Sequence, residues 1–183
     1  FFLSIIFYPV KETISKINGS PGGKTGSPAD VGSCIQCHDD FALNSGVGTP
    51  TITSNIPSTG YVPGAIYTIN SSISEAGLER FGFELTAEDN SNNKTGTFFI
   101  TNSAETKLVN SNAAVTHKFA GTSGTNSKIW SFDWQAPITG TGSVTFYSSC
   151  ISANNNANNN GDNVYSTLIT VIESIQIPGC TDS

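Results

Sequence analysis

Cys34-Ile35-Gln36-Cys37-His38 is the segment whose residue types and spacing most directly specify a chemistry. Two thiols separated by two residues can add across the two vinyl groups of a haem, and a His directly after the second thiol brings an imidazole to the iron. With 2 His in 183 residues, a His in that position is about a 1 in 90 coincidence. The motif therefore predicts covalent haem c, anchored by Cys34 and Cys37 with His38 as the proximal iron ligand.

Three other chemistries use the same residues. A thioredoxin-like redox pair wants a βαβ setting with the attacking Cys at a helix N-terminus, and no strand alternates with a helix here. Structural zinc wants four ligands, so Cys34, Cys37 and His38 would have to recruit Cys150, Cys180 or His117 from far along the chain. A Cys34 to Cys37 disulfide is chemically sound but leaves His38 without a role.

The sixth position of a haem iron has few candidates. Met is absent, which excludes a His/Met pair within the chain, and His117 is the only other imidazole. It lies in Val115-Thr116-His117-Lys118-Phe119, where a strand end would present it. Two His ligands would suit electron transfer to a redox partner protein or an extracellular acceptor; an open position would suit small ligands or peroxidase chemistry. No distal Arg and His pair supports the latter, Arg80 being the one arginine considered. The chain is thus expected to carry electrons, or to bind, rather than to act as an enzyme.

The elements that would hold this motif follow from composition and pattern. Charged residues make up 12% of the chain and the net charge of -6 is scattered without blocks, so no surface is built to neutralise phosphates and no nucleic-acid partner is expected. No segment approaches 20 apolar residues, so no transmembrane span is expected either. Phe1-Phe2-Leu3-Ser4-Ile5-Ile6-Phe7 reads as the remainder of a signal-peptide core, and Cys usage fits an oxidising compartment. The expected location is secreted, extracellular or at the cell surface, with the periplasm as alternative.

From Asn18 to Gly32 the chain is rich in Gly, Pro and Ser and predicts an irregular lead-in, followed by a short helical turn at the Cys motif. After Pro50 the pattern takes a period of two. Phe81, Phe83 and Leu85 share one face with Gly82, Glu84 and Thr86 on the other; Trp130, Phe132 and Trp134 repeat this, then Val144 and Phe146. Further strands are predicted at 65–73, 96–101, 113–119 and 164–172. Seven short strands between Gly, Asn and Pro turns predict an all-β, immunoglobulin-like β-sandwich. The Asn-rich run 153–163 predicts a plain solvated loop. Calcium there has only Asp162 to offer as carboxylate, a weak ligand set.

Several segments taken in order resemble the bacterial reelin-type (choice-of-anchor) domain family of secreted proteins. They are Gly22-Gly23-Lys24-Thr25-Gly26-Ser27-Pro28 leading to the Cys motif, Tyr61-Val62-Pro63-Gly64, Trp130-Ser131-Phe132-Asp133-Trp134-Gln135-Ala136-Pro137, Gly140-Thr141-Gly142-Ser143-Val144-Thr145-Phe146-Tyr147, and Gly161-Asp162-Asn163-Val164-Tyr165. The resemblance spans about 20–172 and implies a reelin-type sandwich, exported and displayed by an anchor, that folds with or without haem. It also implies that Cys180 opens a downstream repeat and pairs beyond Ser183, against a Cys150 to Cys180 bridge. The expected organisation is a signal remnant and lead-in (1–17), a haem-attachment segment (18–50), the sandwich (51–173) and a linker (174–183). The rival expectation is an extracellular adhesion or binding module whose Cys segment is a disulfide or a structural staple.

Overall fold

The computed structural model describes residues 16–30 and 32–175. The proposed signal remnant therefore lies almost wholly outside the described residues, as do most of the C-terminal linker and Cys180 with its pairing. Nine strands run in chain order: β1 Thr49–Ser54, β2 Ile66–Ser74, β3 Arg80–Asp89, β4 Thr97–Phe99, β5 Thr106–Val109, β6 Ala114–His117, β7 Ser127–Gln135, β8 Val144–Ala153 and β9 Asn163–Val171. They form two sheets, β1-β2-β7-β4 and β5-β6-β3-β8-β9, with every named pairing antiparallel. The only helical pieces among the described residues are two 3-10 turns, Cys34–Gln36 and Phe119–Thr122. This is the all-β two-sheet sandwich that the period-two pattern predicts.

The core forms where the alternating aromatic positions of facing strands meet. Phe83 on β3 stacks on Trp130 of β7 with centroids 4.3 Å apart, and Trp134 meets Phe146 of β8 edge-on at 4.9 Å. Both indole N–H groups donate to backbone carbonyls, Trp130 to Gly121 and Trp134 to Thr95, so burying them leaves no donor stranded. Ser71 and Ser148 join hydroxyls across the two sheets at 2.8 Å, next to the buried Cys150.

One strand departs from the half-buried pattern. All eight interior residues of β3 are buried, including Glu84, Thr86 and Glu88 on what should be its solvent face. The irregular N-terminal segment covers that face. It crosses the five-stranded sheet through backbone N–H groups: Ser20 donates to Thr116 Oγ1 (3.1 Å), Lys24 to Glu84 Oε1 (3.2 Å), Ala29 to Glu88 Oε2 (3.4 Å) and Cys34 to Ser149 Oγ (3.3 Å). Buried side chains of the sheet thus satisfy the backbone of a segment that cannot form a strand of its own. Lys94 fastens the same segment, reaching Asp30 at 2.7 Å and Glu88 at 2.8 Å.

Candidate functional site

The Cys motif begins as a 3-10 turn. Gln36 N–H donates to Ser33 O, and Cys37 and His38 N–H both donate to Cys34 O, each at 3.1 Å. The turn is fixed from below by the Cys34 amide on β8 and from the side by Lys24 Nζ, which donates to Gln36 Oε1 at 2.5 Å.

From above it is gripped by the Asn-rich loop, which is an ordered ladder rather than the plain solvated loop the composition predicts. The amides of Asn156, Asn158 and Asn160 donate in turn to the side-chain oxygens of Asn154, Asn156 and Asn158. Each is an Asn side chain accepting from the backbone two residues on, a turn this residue favours. Asn155 and Ala157 take left-handed φ of 63° and 64°, which reverses the chain between rungs. The loop then closes on the motif: Asn159 Nδ2 donates to Cys37 O, Gly161 N–H to Asp40 Oδ2 at 2.6 Å, and His38 Nδ1 to Asp162 Oδ2 at 2.8 Å.

Turn, loop and the adjoining ends of β3, β6 and β8 enclose a cavity of about 450 Å³. Cys34, Cys37, His38 and His117, the four candidate residues of the sequence, all line it. So do Lys24, Gly82 and Asp162, for which the sequence offered no local signal beyond the single carboxylate in the Asn run. Gly82 matters because the His117 ring lies over it: a Cβ there would stand 2.8 Å from His117 Cε1. His117 Nδ1 accepts the Phe83 N–H at 3.0 Å, and burial pulls the imidazole pKa down to about 4, so the ring is neutral near pH 7. Burial pushes the Cys34 thiol up to about 12 and the Cys150 thiol up to about 11. Both are protonated and poor nucleophiles.

This environment corrects the chemistry expected of the motif. Cys34 packs inside with its Sγ 4.0 Å from Ser149 O, while Cys37 is exposed, so the two thiols differ in access. Among the described residues no group of three or more His, Cys, Asp or Glu side chains is placed to hold a metal ion. The expectations of haem c on Cys34 and Cys37, of iron held by His38 and His117, and of electron transfer to a redox partner are withdrawn on that ground and on the family relationship below. Zinc fails with the same ligand count. Calcium fails because Asp162 is committed to His38 Nδ1 and, through Oδ1, to the Asn154 amide at 3.0 Å. The Cys34 to Cys37 disulfide is not formed, since Cys34, Cys37 and Cys150 all carry free thiols.

What the geometry defines is a β-sandwich whose loop end is built into a cavity and braced by side chains. The Reeler domain family matches residues 43–156, and the chain belongs to that family. The match starts after the Cys motif, so the motif is no part of what defines the family relationship. Solved structures with the same fold include the Reelin-N domain of F-spondin, 23% identical, covering 73% of this chain and 91% of that one with a TM-score of 0.54. A fragment of the human F-spondin reeler domain, also 23% identical, covers 67% of this chain and 88% of its own with a TM-score of 0.52. No protein with a curated description matches the chain. Among the described residues, no helix is long and apolar enough to cross a membrane.

Proposed function

We propose that the chain is an extracellular binding module of the adhesive kind, presenting the loop end of its sandwich to glycans or to neighbouring proteins. Membership of the Reeler family supports the setting outside the cell. The observation that carries the binding role is the interlock of the Asn-rich loop with the Cys turn. Loops that recognise partners lose less entropy when held in place by a rigid scaffold. Here a low-complexity run that would otherwise be mobile is tied to the motif by Asn159, Gly161 and Asp162. In this reading Cys34 and Cys37 staple the N-terminal segment by packing and turn geometry, and the sandwich of residues 51–173 is the displayed unit.

The test is binding of the whole chain to immobilised glycans and to intact bacterial cells, beside a variant with Asn155–Asn160 replaced by a Gly-Ser linker. Binding by the native chain that falls at least tenfold in the loop variant, with the thermal transition of the sandwich retained, supports the reading. Binding indifferent to the loop, or none to either surface, overturns it.

A further inference from the structure

The cavity beside His117 has a chemical bias that an adhesive role does not use. Its lining includes the apolar residues Ile17, Pro21, Ile151 and Ala153, the last two on the Gly82 face of the five-stranded sheet. Its charged groups are almost all of one sign. Lys16, Lys24 and Arg80 line it, three of the eight basic residues in a protein of net charge -6. None of them takes part in the ion pairs found among the described residues. Arg80 is steadied by neutral groups instead, one guanidinium nitrogen donating to Thr122 Oγ1 at 3.1 Å and Ser123 Oγ at 2.7 Å. The one carboxylate in the lining, Asp162, is taken by His38 and the Asn154 amide.

His117 adds a donor. In the tautomer in which Nδ1 accepts the Phe83 N–H at 3.0 Å, rather than donating to Phe83 O at 3.2 Å, the neutral ring carries its proton on Nε2, which has no hydrogen-bond partner among the described residues. A cavity with apolar lining residues, N–H donors and cations, and no uncommitted carboxylate is complementary to a molecule with an apolar body and one anionic end. Its volume of about 450 Å³ lies within the roughly 300–1,000 Å³ of small-molecule sites.

We propose that this cavity is a binding site for a small amphipathic carboxylic acid, its apolar body against Ile17, Pro21, Ile151 and Ala153 and its carboxylate taken by the lining cations and His117 Nε2. Charge-assisted hydrogen bonds from Lys and Arg then offset the desolvation of the carboxylate. Such binding is independent of any adhesive partner and stands if the loop end recognises nothing.

The experiment titrates the full chain with 2-naphthoate, decanoate and the neutral isostere 2-naphthamide by calorimetry. The expected result is saturable binding of at least one acid, with naphthoate at least tenfold tighter than naphthamide if it is the one that fits. Lys24→Gln with Arg80→Gln should remove most of the acid's advantage, and Ala153→Phe, which fills the cavity, should weaken binding at least tenfold. Near-UV circular dichroism of each variant verifies the fold, and a shift of the His117 ring resonances on titration locates the ligand without any variant. No saturable binding of either acid, equal affinity for naphthoate and naphthamide, or acid binding that leaves the His117 resonances unmoved would overturn the proposal.

Discussion

His38 Nδ1 stands 2.8 Å from Asp162 Oδ2, joining the Cys turn to the far end of the Asn-rich loop across 124 residues of sequence. Asp162 is buried and its second oxygen holds the Asn154 amide, so one carboxylate closes the loop on itself and on the motif. Replacing Asp162 by Ala strands both donors. It should cost about 1–3 kcal/mol of stability and speed hydrogen exchange at the Asn154, Asn156 and Asn158 amides. Unchanged exchange there would show that the loop holds itself without the bond.

Glu84 is fully buried with Oε2 unpartnered, and burial raises its pKa. A carboxyl whose folded pKa exceeds its unfolded value binds its proton more tightly in the native state, so stability falls as pH rises from the unfolded value through the folded one. Glu84→Gln keeps an oxygen for the Lys24 amide and removes the ionisation. The variant should melt higher than the native chain at pH 7 and lose that advantage at pH 4. Calorimetric scans at the two pH values check it.

His117 works in the opposite sense. Its pKa is lowered to about 4 by burial, so protonation disfavours the native state. Its contribution is complete above about pH 6.5 and is lost as pH falls through about 4, a span worth roughly 3 kcal/mol. His117→Asn should flatten the pH dependence of the denaturant midpoint between pH 6.5 and 4. A native chain whose midpoint does not fall over that range once Glu84 is replaced by Gln would contradict the assignment.

Lys94 sits between two buried carboxylates, Asp30 of the N-terminal segment and Glu88 of β3. Lys94→Met leaves both without their cation and should destabilise by roughly 3–5 kcal/mol near neutral pH, detaching residues 27–30 before the sandwich melts. Changing Asp30, Glu88 and Lys94 together to apolar residues should recover most of the loss. Urea unfolding of the single and triple variants measures both.

The described thiols differ in access. Cys37 is exposed, while Cys34 and Cys150 are buried and held protonated. In the folded protein iodoacetamide should alkylate Cys37 at least tenfold faster than either, and the difference should vanish in denaturant. Peptide mass spectrometry of a time course reads it.

The strands were legible in the sequence because alternation is local: Phe81-Phe83-Leu85 and Trp130-Phe132-Trp134 mark β3 and β7 whatever lies opposite. The strands predicted at 65–73, 96–101, 113–119 and 164–172 correspond to β2, β4, β6 and β9. β1 and β5 escaped for the same reason. Thr49–Ser54 carries a Pro and one buried residue, Thr106–Val109 has four residues, and both lie at sheet edges where one face or one neighbour suffices. The resemblance read from the quoted segments identified the sandwich and its family.

What the Cys motif does was decided by its surroundings. Cys34-Ile35-Gln36-Cys37-His38 states a reaction only if both thiols and the imidazole face one open surface with a second ligand set. Tertiary packing instead buries Cys34 on Ser149, exposes Cys37 and hands His38 to Asp162. The same packing brought His117, Lys24 and Arg80 to one cavity from positions up to 93 residues apart and filled the outer face of β3 with a segment the pattern leaves unplaced. Periodicity reports which way a side chain points from its own strand; burial, protonation and partners depend on what arrives from elsewhere in the chain, and no local pattern encodes them.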